Sequence, residues 1–364
     1  MDNIFGNVYK NKRVLITGHT GFKGTWLSIW LKELGAKVRG YSLDANTQPN
    51  LFSICNVSND IESTIADIRC GEDVYNVINE FKPDIIFHLA AQPLVRYSYN
   101  NPKETYETNV MGTLNVYEAV RKCESVKAII SITTDKCYEN KEWVYGYRED
   151  DPIGGHDPYS SSKGCVELLT ASYRKCYFIN SGVGVASARA GNVIGGGDWA
   201  EDRLIPDLVR AISKNQKLII RNPLAIRPWQ HVLEPLSGYL WLGALLLNDK
   251  DRFSSAWNFG PNNNDILSVE EILSLSIDSW GKGEYVIDKS AQPHEANLLK
   301  LDISKASADL KWKPVYNVQT AVEKTIDWYK NYYEEDINMK DFTIAQINEY
   351  IEEAKKKKIL WSVS

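Results

Sequence analysis

The chain has 364 residues, 43% of them hydrophobic and 24% charged, with a formal net charge of −5. That length exceeds what one core usually serves, so two domains are expected in a globular protein of ordinary composition. The acidic balance argues against nucleic acid or an anionic membrane surface as the main partner.

"KRVLITG" (12–18) is an apolar run closed by glycine and reads as a buried parallel strand. "TWLSIWLKELG" (25–35) follows at helical spacing, with Gly35 suited to the cap. "AKVRGYSLD" (36–44) is the next strand, "GEDVYNVINEFKP" (71–83) a helix stopped by proline, and "DIIFHLAA" (84–91) another buried strand. A long helix is expected over 104–123, a strand over 126–133, a helix over 159–177 and a strand over 183–189. Strands alternating with helices predict an α/β protein with a doubly wound, Rossmann-like parallel sheet. Beyond residue 190 the chain turns to loops rich in Gly, Pro, Trp and Asn with short helices between them. We expect residues 1–189 to form the first domain. Residues 190–364 should form mostly a smaller, mixed α/β substrate lobe, with some segments returning to the first domain. "AKKKK" near the end reads as a solvated helix terminus.

Six cysteines form no C-x-x-C pair and no ligand-like cluster with the five histidines, so reduced thiols and no metal are expected. His231 and His294 read as packed or rim residues. The first twelve residues lack an apolar core, and "YLWLGALLL" (239–247) is too short to span a bilayer. A cytoplasmic location is the expectation.

Between the first strand and its helix lies "GHTGFKG", with Gly18, Gly21 and Gly24. Three glycines alone are weak evidence, but a strand before and a helix after them raise their weight. Such a loop lets backbone N–H groups approach a pyrophosphate at the positive end of the helix. The loop residues Gly18, His19, Thr20, Gly21, Phe22, Lys23 and Gly24 are therefore candidates to meet a dinucleotide. Asp44, at the end of the second strand, could accept from adenosine ribose hydroxyls and would repel a 2′-phosphate, which favours NAD over NADP. Arg39, earlier on that strand, is the one residue that could subvert this choice. "YSSSK" sets Tyr159 and Lys163 one helical turn apart on one face. A tyrosine is a poor base at neutral pH unless nearby positive charge favours the phenolate. "SITTDK" ends a core strand in Thr134, Asp135 and Lys136, at the sheet edge where open α/β proteins bind ligands.

The G-x-x-G-x-x-G loop with Y-x-x-x-K resembles the extended short-chain dehydrogenase/reductase superfamily, over roughly residues 12 to 330. By that resemblance Asp67, Ile68, Leu89, Ala90 and Ala91 hold the adenine and the middle of the cofactor; taken alone, each could equally be a strand end. The Thr-Asp pair is similar to the nucleotide-sugar 4,6-dehydratases, whose third residue is usually Glu. Here it is Lys136, as in the branch acting on CDP-glucose, which "AAQPLVRYSY", "RAGNVIGGGDWAEDRLIPD" and "IRPWQHVLEPLSGYL" also resemble. The resemblance implies a hydro-lyase that uses tightly held NAD. Tyr159 and Lys163 would serve the proton transfer at C4, Thr134 would hold the 4-hydroxyl, and Asp135 would protonate the leaving C6 hydroxyl. For Lys136, standing where the wider family has Glu, two roles stay open: taking the C5 proton in neutral form, which we expect, or staying charged and only stabilising the enolate. It also implies Gln92, Asn192, Arg203, Leu204 and Arg227 as substrate residues, with Arg227 on the pyrophosphate. The three glycines at 195–197 remain open between a flexible turn and a phosphate cradle. Helices 104–123 and 159–177 would build a homodimer or homotetramer through a four-helix bundle. The alternatives are another 4,6-dehydratase, a 4-epimerase, which would not need Asp135 and Lys136, or a non-enzymatic dinucleotide sensor, which would not need the Tyr159 phenolate.

Overall fold

The computed structural model describes residues 3–262, 265–288 and 298–364. Seven parallel strands form the central sheet: β1 (Arg13–Thr17), β2 (Lys37–Ser42), β3 (Glu62–Ile65), β4 (Ile85–His88), β5 (Ala128–Ile132), β6 (Gly184–Ala190) and β7 (Ala256–Phe259). Their spatial order is β7-β6-β5-β4-β1-β2-β3. Chain order reverses between β1 and β4, so a crevice opens there beyond the strand ends.

The strands alternate between two cores. Val14 and Ile16, Ile85 and Phe87, and Ala128 and Ile130 face one hydrophobic layer. Leu15, Ile86, Ile129 and Val185 face the other. That period of two, with every residue of β4 buried, makes the sheet a buried wall rather than a half-wet one. Thr17 pairs with both Tyr41 and His88, so the ends of β4, β1 and β2 lie level.

Several expectations are corrected by long-range packing. β3 and β7 carry no strong strand signal of their own. β3 is a mostly exposed edge, and β7 is recruited from beyond residue 190 onto β6. The helices past residue 190 are not all short, since Leu233–Asn248, Val318–Glu334 and Met339–Lys356 span 16, 17 and 18 residues. Leu233–Asn248 is buried almost all round because it lies between the sheet and a C-terminal layer. Its Gly243 sits against Ile85 and Phe87, and its Gly238 against Phe259. The helix expected over 104–123 is interrupted: Pro102–Tyr106 leads into a π-turn, Glu107–Met111, before Gly112–Arg121. The helix expected over 159–177 runs as Pro158–Tyr173 and then widens into another π-turn, Arg174–Phe178. Single π-turns of this kind re-aim side chains at functional positions.

A smaller layer of two-stranded pairs and helices roofs the crevice. Val193–Ile194 pairs with Gln230–His231, and Ile226–Arg227 with Leu267–Ser268. Leu218–Ile220 pairs with Tyr285–Ile287. Helix Leu204–Ser213 packs its strongly apolar face inward beside them. His231 is fully buried; His294 lies outside the described residues. No helix among those residues is long and apolar enough to cross a membrane.

Candidate active site

The glycine loop joins the end of β1 to helix α1 (Phe22–Glu33). Gly18 adopts φ +79°, and a Cβ there would lie 2.8 Å from the Ala90 nitrogen. A Cβ on Gly24 would lie 2.0 Å from the Gly18 carbonyl oxygen. Both positions therefore require glycine, and the loop presses against the end of β4 as tightly as backbone permits. α1 has no side-chain N-cap, so its first N–H groups point into the crevice without a protein partner of that kind. The site fits the pyrophosphate of a dinucleotide on these observations.

The loop side chains divide. His19 is buried against β2, where Gly40 leaves room for its ring, and its Nε2 lies 2.7 Å from the Ser63 hydroxyl. Burial pushes its pKa down to about 4. Thr20 donates to the Leu43 carbonyl at 2.8 Å. Phe22 and Lys23 line the crevice. Burial, with Lys163 and Arg203 nearby, pushes the Lys23 ammonium down to about 7. Asp44 is exposed just past β2. Arg39 is spent elsewhere, donating to Thr64 at 3.3 Å and pairing with Glu80 at 3.2 Å. Asp67 forms an ion pair with Arg69 at 2.5 Å. The Ile68 side chain is packed beneath Gly112 in the core, and its carbonyl accepts from the Asn115 amide at 3.0 Å. Leu89, Ala90 and Ala91 follow β4, where Ala90 N–H donates to the Thr17 hydroxyl at 3.2 Å.

Beyond β5 and β6 lies a cavity of about 760 Å³ lined by Thr134, Asp135, Lys136 and Tyr159 on one wall and Asn192, Arg203, Leu204 and Arg227 on another. Thr134 Oγ1 donates to Asp135 Oδ1 at 3.0 Å, while Asp135 Oδ2 is buried with no partner. Burial raises the Asp135 pKa, against the opposing pull of Lys136, Thr134 and Arg227. A carboxyl so placed is poised to keep a proton and deliver it. Tyr159 is buried beside Thr134. Its phenol is pushed up to about 12, chiefly by burial and also by Asp135. The protein's own groups thus hold the phenol, because burial disfavours the anion; the phenolate is the expectation for Lys163 together with a bound, positively charged nicotinamide ring. Burial pushes Lys163 down to about 8, and its ammonium donates to the Ile132 carbonyl at 3.3 Å.

A buried ionic network braces this wall. Glu167, one turn beyond Lys163, accepts from Thr133 at 2.5 Å, Ser187 at 2.7 Å and Arg189 at 2.8 Å. Arg189 also donates to the Tyr138 hydroxyl at 2.6 Å. A buried ion pair of this kind, with Arg189 Nε left without a partner, fixes geometry more than it adds stability.

The roof supplies cations. Arg203 pairs with Asp198 at 2.7 Å. Arg96, after β4, and Arg221, from the Leu218–Ile220 strand, both reach Asp202, at 3.5 and 3.6 Å. Arg227 donates to the Ile226 carbonyl at 2.9 Å. Gln92 does not line the cavity. Its amide accepts from Leu94 N–H at 2.6 Å and donates to Thr105 at 2.9 Å, so it braces its own loop. The sequence reading missed Arg96, Arg221 and the aspartates that meet the arginines. Arg96 and the aspartates lie inside the stretches quoted for their resemblance; Arg221 has no local signal, since only the fold turns it toward the site. Among the described residues no group of acidic, histidine and cysteine side chains could hold a metal.

Comparison with known proteins places these features in context. A family model described as GDP-mannose 4,6 dehydratase matches residues 15–325. The chain is 53% identical over 330 residues to CDP-glucose 4,6-dehydratase of Salmonella typhimurium, covering 89% of this chain and 92% of the other. It is 26% identical to a dTDP-glucose 4,6-dehydratase of Xanthomonas campestris, over 86% and 92% of the two chains. Among solved structures, dTDP-glucose 4,6-dehydratase of Bacillus anthracis in complex with NAD superposes with a TM-score of 0.71 at 24% identity, covering 88% and 97%. UDP-glucose 4-epimerase of Thermotoga maritima does so with 0.76 at 21%, covering 88% and 100%. At those identities the structures speak to the fold, a seven-stranded parallel sheet with helices on both faces.

Proposed function

The chain belongs to the GDP-mannose 4,6-dehydratase family, and from that premise we propose that it converts CDP-glucose to CDP-4-keto-6-deoxyglucose, as a hydro-lyase using NAD. The observation that carries the reading is one cavity wall holding Thr134, Asp135, Lys136 and Tyr159 together, opposite a roof of arginines. CDP as the nucleotide follows from the 53% identical relative.

NAD, when bound, supplies the oxidation at C4 and the compensating reduction at C6. Gly18, Gly21, Gly24 and the first turn of α1 would hold its pyrophosphate, and Leu89 to Ala91 its middle. Asp44 would meet the adenosine ribose, because its carboxylate is exposed at the strand end and Arg39 is held away by Glu80. The protein's own residues do the rest. Tyr159 removes the C4 hydroxyl proton, and Thr134 holds that oxygen. The resulting ketone acidifies C5, Lys136 takes the C5 proton, and Asp135 protonates the C6 hydroxyl as water leaves. Asn192, Arg203 and Arg227 face the diphosphate and Leu204 the base. The reduction that NAD would supply at C6 leaves C5 to regain a proton from Lys136 or solvent, so atoms balance as loss of one water with no net redox change. The experiment that tests the reading is incubation with CDP-glucose in deuterated water and NMR of the product.

The assembly is a homodimer or homotetramer in this reading, built through a four-helix bundle from Pro102–Arg121 and Pro158–Tyr173. Met111 and Leu168 support it, being 48% and 63% exposed on those helices. Sedimentation at micromolar concentration should give a species of at least twice the chain mass; a lone monomer would contradict it. A cytoplasmic location accords with six free thiols among the described residues and with the absence there of a membrane-spanning helix.

A further inference from the structure

His88 ends β4 and is almost fully buried, outside the cavity. Its two ring nitrogens meet two threonines. Nδ1 lies 2.7 Å from Thr17 Oγ1, and Nε2 lies 2.9 Å from Thr113 Oγ1. The outer ends of this chain fix its direction. Thr113 donates its hydroxyl proton to the Asn109 carbonyl at 2.6 Å, and a carbonyl can only accept. Thr113 Oγ1 must therefore accept from His88, which puts the proton on Nε2. Nδ1 is then bare and accepts from the Thr17 hydroxyl, which in turn accepts Ala90 N–H at 3.2 Å. Every donor in the series points from the end of β4 toward the π-turn.

That π-turn leads on to the catalytic helix. The Asn109 amide donates to Ser162 Oγ at 2.8 Å and to the Gln92 carbonyl at 3.1 Å, and its oxygen accepts Gln92 N–H at 2.8 Å. Ser162 donates to the Tyr159 carbonyl at 2.7 Å. At the other end, Ala90 is the residue against which Gly18 packs with no room for a Cβ. One imidazole thus spans two parts of the site, the backbone floor under the dinucleotide and the helix that carries Tyr159.

We propose that His88 is a positioning residue, held in the neutral Nε2–H form, that keeps the Ala90 peptide and the Tyr159 helix in register. It touches neither substrate nor cofactor. Protonating it would turn Nδ1 into a donor and leave the Thr17 hydroxyl proton without the acceptor it has here. Burial, reinforced by Lys163, opposes that charge and pushes its pKa down to about 3.

The activity arm of the test rests on the dehydratase reading, but two other readouts do not. His88→Leu fills similar space with neither donor nor acceptor. It should lose on the order of 10²-fold in turnover, as for a small displacement of reacting groups. Its KM for CDP-glucose should stay within about threefold, and its affinity for NAD in a direct titration should fall by about tenfold. His88→Gln offers an acceptor and a donor from one side chain, and it should recover most of both losses. Nitrogen NMR of the wild-type protein loaded with NAD, with the His88 signals assigned as those lost in His88→Gln, should show that imidazole neutral and protonated on Nε2 down to about pH 5. A glutamine variant no better than the leucine variant overturns the proposal, and so does an Nδ1–H or charged imidazole. If His88→Leu does not fold, Thr113→Val removes the same link from the far side, and the NMR result stands by itself. If the protein acts on no nucleotide sugar, the titration and the NMR still decide the role of His88.

Discussion

Replacing Tyr159 by Phe should lower turnover on the order of 10²–10⁴-fold, the usual contribution of a positioned general base. The phenol oxygen is the only atom lost. The ring stays in a position that is 8% exposed, so no cavity forms and folding should be untouched. Affinity for NAD should hold within about threefold, because the group removed acts in the transition state and not on the bound dinucleotide. The protein's own groups hold Tyr159 as the phenol, pushed up to about 12 by burial. Proton removal therefore depends on positive charge brought by the cofactor and on Lys163, whose pKa of about 8 leaves it charged at neutral pH. The check is steady-state kinetics beside a dinucleotide titration. A Phe variant with near-normal turnover would remove Tyr159 as the base.

The second large effect is expected at Lys136. Its neighbour Asp135 is held toward the protonated form by burial, which suits an acid and leaves the C5 proton to another group. Lys136 lines the same cavity and is half-buried. In Lys136→Met, solvent deuterium should nearly stop entering C5, and water loss should stop with it, while Tyr159 and Thr134 remain able to act at C4. A charged lysine that only stabilises the enolate predicts slower exchange of smaller extent. Deuterium entering C5 at the wild-type rate in the Met variant would rule Lys136 out as the base.

The parts of the site legible in the sequence are those whose chemistry is local. β1, the glycine loop and α1 announce themselves because a buried strand, a tight turn and an uncapped helix are consecutive in the chain. Tyr159 and Lys163 are one turn apart, and Thr134 and Asp135 closely follow a strand that is buried throughout. What escaped depends on partners far away in sequence. β7 becomes a strand because β6 needs a neighbour. Gln92 looks like a free amide beside the site, yet it is consumed by Leu94 and Thr105. Ile68 follows a strand as a cofactor residue would, but Gly112 opens a slot that draws its side chain into the core. The π-turn at Glu107–Met111 has no local signal, because the widening serves Asn109 contacts that reach Gln92 and Ser162. The phenolate expectation rests on Lys163 and the nicotinamide ring together; the cost of burying the anion, which adjacency in sequence does not reveal, sets how much positive charge it needs.

The account's central claim is that this wall eliminates water across C5 and C6 of CDP-glucose. The most direct measurement is NMR of the product formed from CDP-glucose in deuterated water. The predicted product carries a C4 ketone, a methyl group at C6 and one solvent deuterium at C5. GDP-mannose, dTDP-glucose and UDP-glucose should each react far more slowly under the same conditions. A product that keeps its C6 hydroxyl and its original C5 hydrogen, inverted only at C4, would contradict the account and make the protein an epimerase.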